Sequence, residues 1–91
     1  MPTMTLDVSH NTWSPVSVTV TAGGFVTFKT SDESQQTVEI VPPGGNKFNY
    51  TIPADWTPPG VVGDTYAVNY NYKGGVTTGH VNIGVGGGKS G

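Results

Sequence analysis

Apolar residues recur at every second position along nearly the whole chain and nowhere at helical spacing, which restricts it to an all-β fold. Leu6 and Val8 alternate with Asp7 and Ser9, and Val16, Val18 and Val20 with Ser17, Thr19 and Thr21. Val26 and Phe28 alternate with Thr27 and Lys29, and Val38 and Ile40 with Thr37 and Glu39. Phe48, Tyr50 and Ile52 then oppose Asn49 and Thr51, while Tyr66, Val68 and Tyr70, extended by Tyr72, oppose Ala67, Asn69 and Asn71. A last run sets Val81, Ile83 and Val85 against His80 and Asn82, giving seven predicted strands, each with one face in a core and one in water.

The punctuation agrees. Ala22-Gly23-Gly24, Pro42-Pro43-Gly44-Gly45 and Lys73-Gly74-Gly75 supply residues that tolerate positive φ or end a ladder, so they read as turns between antiparallel neighbours. Seven short antiparallel strands with regular turns predict a two-sheet Greek-key β-sandwich, with a small barrel as the alternative. The segment 53–64 breaks the spacing: it carries Pro53, Pro58 and Pro59 and is expected to be a long connection crossing between the sheets, with Trp56 covering the open edge of the core. Residues 1–85 read as a single domain and 86–91 as a flexible, glycine-rich tail.

Size and charge narrow the function. A chain of 91 residues buries roughly 60–65% of its unfolded surface, enough for one core but not for a deep cleft. It has no cysteine, hence no disulfide framework and no thiolate. Four lysines, no arginine and six acidic residues leave no basic stripe for nucleic acid. No apolar run is long enough to span a bilayer. Met1-Pro2-Thr3-Met4-Thr5 lacks the charged and apolar regions of a signal peptide, which leaves localisation open between a cytoplasmic chain and a mature secreted one.

Two stretches carry a family resemblance. Trp13-Ser14-Pro15-Val16-Ser17-Val18-Thr19-Val20 followed by Ala22-Gly23-Gly24-Phe25-Val26-Thr27-Phe28 resembles the opening of the cupredoxins, copper-carrying β-sandwiches. Tyr66-Ala67-Val68-Asn69-Tyr70 and Gly79-His80-Val81-Asn82-Ile83 resemble the two closing strands that bracket the copper loop in that family. The resemblance implies a cupredoxin-like sandwich, with an immunoglobulin-like one as the other topology. It also places Gln36 at the family's first histidine ligand, Tyr70 near the cysteine, Lys73 near the second histidine and Thr77 near the methionine. None of these substitutes supplies the thiolate and two imidazoles of a blue-copper site, so no metal and no cofactor is expected.

The remaining chemistry-bearing residues are scattered. His10 and His80 stand at no metal-ligand spacing, and Asp7, Asp32, Glu33, Glu39, Asp55 and Asp64 form no calcium loop or paired-carboxylate motif. No serine lies in a nucleophile elbow, and Lys89-Ser90 follows glycines without the helix that a phosphate loop requires. Asn49-Tyr50-Thr51 is an N-glycosylation sequon, of consequence only in a secreted eukaryotic protein.

Trp13, Trp56 and Tyr72 fall at strand ends or in loops, where an open ring could stack on a sugar or anchor a partner, and Asn69 and Asn71, on the face opposite the tyrosines, add amide donors and acceptors. The reading is a non-enzymatic binding or structural module for protein-protein contact or self-assembly, its exposed strand 16–21 a candidate edge. A carbohydrate-binding module using the aromatic residues is one alternative. A degenerate, cupredoxin-related metal-binding protein is the other. The cupredoxin alignment further requires Tyr70 to turn its ring into the core and find its hydroxyl a partner.

Overall fold

The structure, a computed structural model, describes residues 2–85. The glycine-rich stretch 86–91 lies outside the described residues. Among the described residues there are nine strands and no helix. In chain order the strands are β1 (Thr3–Asp7), β2 (Thr12–Ser14), β3 (Ser17–Thr21), β4 (Val26–Thr30), β5 (Gln36–Val41), β6 (Phe48–Ile52), β7 (Ala54–Trp56), β8 (Thr65–Tyr72) and β9 (Gly75–Gly84). They form a four-stranded sheet, β2-β1-β4-β7, and a five-stranded sheet, β3-β9-β8-β5-β6, in a sandwich-like arrangement around one core.

Two expectations change. The strands number nine rather than seven, because Thr12–Ser14 and Ala54–Trp56 pair as three-residue strands too short to show a period. Nor is the pairing wholly antiparallel: β1 runs parallel to β4, and β3 parallel to β9, so both sheets are mixed.

Both short strands sit beside a proline, which has no N–H to continue a ladder and marks where the chain changes sheet. At Pro15 the chain leaves β2, at one edge of the first sheet, and enters β3, at one edge of the second. At Pro53 it leaves β6, the other edge of the second sheet, and enters β7, the other edge of the first. Each lateral edge of the assembly is therefore bridged by one continuous segment. The expected long loop 53–64 is strand for its first part, and only 57–64 is connection.

The alternation survives in the packing. Met4, Leu6, Val26 and Phe28 face Val18, Val20, Val38, Ile40, Val68, Tyr70, Val81 and Ile83, all buried. At the ends the alternation overreaches: Phe48, Tyr72 and Val85 continue apolar rows yet are exposed.

Rings organise one side of the core. Trp56 lies 5.0 Å and nearly perpendicular (83°) from Tyr66, 6.3 Å from Phe28 and Phe48, and 6.4 Å from Tyr50. Trp13 meets Phe28 edge-on at 6.2 Å. The Trp13 indole and the Met4 sulfur close over Gly79, where a methyl group would stand 3.1 Å from each, a tight fit unless those side chains give way.

Candidate functional site

The five residues singled out by sequence fall into two groups. Trp13 and Trp56 are 3% and 9% exposed, held inside the core by the ring contacts above. Neither presents an open face for stacking. Asn69, Asn71 and Tyr72 share β8 near its hairpin with β9; Asn71 and Tyr72 are exposed, whereas Asn69 is half-buried in a row between Glu39 and Thr78. Tyr72, 42% exposed and tilted against Tyr70 at 6.1 Å, is the ring of the set with open surface. No sequence signal separated the core tryptophans from surface ones, because both stand beside prolines that read equally well as loop.

At the same end, some of the residues that the resemblance would set at copper-ligand positions come together. Tyr70 is buried, and its hydroxyl donates to Gln36 Oε1 at 2.9 Å. Gln36 Nε2 donates to Ser34 Oγ at 2.9 Å, and Ser34 Oγ donates to Asp32 Oδ1 at 2.6 Å. The result is a chain of donors pointing from the core to a surface carboxylate, which ties the loop 31–35 to β8. The Ser34 hydroxyl, helped by the Ser34 backbone N–H, holds the Asp32 carboxyl below the ordinary range. Thr77 stands opposite Tyr70 in the β8–β9 register, and Lys73 lies in the turn. Tyr70, Gln36, Ser34 and Asp32 are engaged with one another, and among the described residues no three His, Cys, Asp or Glu side chains gather where they could hold a metal.

The outward face of the five-stranded sheet is polar and cross-linked. Thr65 Oγ1 donates to Asn82 Oδ1 at 2.8 Å, and Asn82 Nδ2 donates to Ser17 Oγ at 2.8 Å, a ladder running across three strands. Between the sheets' loops, Lys29, Thr30, Glu33 and Pro53 line an open recess of about 420 Å³. Thr30 is its buried polar member, and its hydroxyl is spent on the Ser34 carbonyl at 2.7 Å.

Besides the terminal strands of each sheet, part of β9 has a one-sided ladder. β3 pairs with β9 only from Ser17, opposite His80, down to Thr21, opposite Gly84, and the His80 N–H donates to the Val16 carbonyl at 2.8 Å. Above that point the chain has turned at Pro15 into the other sheet. The segment Gly75–Gly79 of β9 therefore pairs with β8 on one side and, among the described residues, has no ladder neighbour on the other. Val76, 58% exposed, and Thr78, also exposed, stand on it. Neither residue carried a signal in the sequence, because the gap arises from where β3 begins.

Comparison with protein-family models, with curated proteins and with solved structures returns no match to this chain.

Proposed function

We propose that this chain is a non-enzymatic binding or structural module, a Greek-key sandwich of cupredoxin-like layout without copper chemistry, that makes protein-protein contact by accepting an extended strand. The observation that carries this reading is the one-sided ladder at Gly75–Gly79, where Val76 and Thr78 direct backbone donors and acceptors past the point at which the chain leaves for the other sheet at Pro15. Such an edge takes affinity from main-chain hydrogen bonds and specificity from alternate side chains. Two further features favour contact over catalysis. The recess is open, and the Gln36, Tyr70, Ser34 and Asp32 groups are engaged with one another. Burial of Trp13 and Trp56 argues against a sugar-stacking platform.

A display library of random extended peptides tests the reading. Enrichment of β-branched and aromatic sequences, with main-chain amide shifts on β9, is the expected outcome; no enrichment above an unrelated sandwich would contradict it.

A further inference from the structure

Resting on the reading above, we infer that the strand which fills the edge is the same segment of a second copy, so that the chain self-associates through β9 about a two-fold axis. The argument is one of parity. Consecutive residues of a strand aim their N–H and C=O groups at opposite sides. Because the His80 N–H points to Val16 on the β3 side, Val76 and Thr78 aim both backbone groups to that side as well. Thr77 and Gly79 aim theirs at β8.

An antiparallel two-fold centred on Thr77 sets Val76 opposite Thr78 of the second copy, and Thr78 opposite its Val76. Both are then hydrogen-bonded pairs, each exchanging two bonds, so all the edge groups of Val76 and Thr78 are satisfied by one operation. The side chains agree. Val76 and Thr78 lie on the same outward face, and both are β-branched, which suits cross-strand pairing. Gly75-Val76-Thr77-Thr78-Gly79 carries no charge, so the axis brings no like charges together, and it lacks the lysine or proline that blunts edges elsewhere. Pairing stops at Gly79, since Val16 and Ser17 occupy the edge from His80 onward. An interface this short is weak and concentration-dependent.

Light scattering and sedimentation between about 10 μM and about 1 mM test it. The expected apparent mass rises from the 9.5 kDa of one chain towards twice that value. Thr78→Lys, which places a charge beside the axis and opposite Val76 of the second copy on an exposed position, and Val76→Pro, which removes an edge N–H, hold the mass at one chain. Thr19→Lys on the β3 edge leaves association as in the unmodified chain. Far-ultraviolet dichroism confirms that each variant is folded, and Thr78→Lys carries the test if Val76→Pro is not. A wild-type chain that stays at one mass throughout overturns the inference, as does association that persists in Thr78→Lys or vanishes in Thr19→Lys. Peptide binding without self-association overturns this inference alone, whereas absence of both overturns the strand-accepting reading as well.

Discussion

Trp56→Ala is the substitution whose cost the packing specifies most closely. The indole is 9% exposed and touches four other rings, so its removal opens a cavity bordered by both sheets. Large-to-small substitution of a buried tryptophan costs about 3–5 kcal/mol, and the lost ring pairs favour the upper end of that range. A 91-residue domain has a total stability of about 5–14 kcal/mol, so the variant retains a fraction of it. The corresponding drop in melting temperature is roughly 15–30 °C. Trp56→Phe keeps a ring against Tyr66 and costs less, about 1–2 kcal/mol. Urea unfolding followed by far-ultraviolet dichroism and by the emission of Trp13 measures both. If Trp56→Ala melts within about 1 kcal/mol of the unmodified chain, Trp56 is a loop cover and the ring-centred core is wrong.

Three further outcomes follow from the same geometry. Tyr70→Phe strands the Gln36 carbonyl oxygen and costs about 1–2 kcal/mol, while Tyr70→Ala costs about 3–5 kcal/mol; equal melts for all three proteins would refute the buried pairing. A methyl group at Gly79 meets Trp13 and Met4 at 3.1 Å, so Gly79→Ala costs about 1–3 kcal/mol in urea, and no loss would mean that the indole is elsewhere. Asp32 is held below its ordinary value of 3.8 by Ser34, and Asp7 is lowered by the Ser9 hydroxyl and His10. Both carboxylates thus stabilise the fold above that value, and the contribution is lost as pH falls through their folded pKa values. Melting at pH 3 should fall short of melting at pH 7 by less in a combined Ser34→Ala, Ser9→Ala variant than in the unmodified chain, and an equal difference would count against both contacts.

How far the sequence could be read depended on element length. Most strands of five residues or more announced themselves by alternation, although the first, read from Leu6 to Ser9, runs instead from Thr3 to Asp7 with Val8 and Ser9 in the turn, and the β8–β9 hairpin falls where Lys73-Gly74-Gly75 placed it, with Tyr72 opposite Gly75. The residues Thr12–Ser14 and Ala54–Trp56 span too little chain to show a period, and Pro15 and Pro53 read as loop when they mark transfers between sheets. Parallel pairing of β1 with β4 and of β3 with β9 joins segments far apart in sequence, and no local pattern encodes it. Of the candidate residues, Asn71 and Tyr72 lie on the exposed hairpin, but the burial of Trp13 and Trp56 depends on partners such as Gly79 and Tyr66 on distant strands.

The unpaired edge is tested most directly by amide hydrogen exchange of β9, followed residue by residue by NMR at low and at high protein concentration. The account predicts that in dilute solution Val76 and Thr78 exchange fast while Thr77 and Gly79, bonded to β8, are protected, and that Val76 and Thr78 become protected as concentration rises. Slow exchange of Val76 and Thr78 already in dilute solution, or fast exchange unchanged at high concentration, would contradict it.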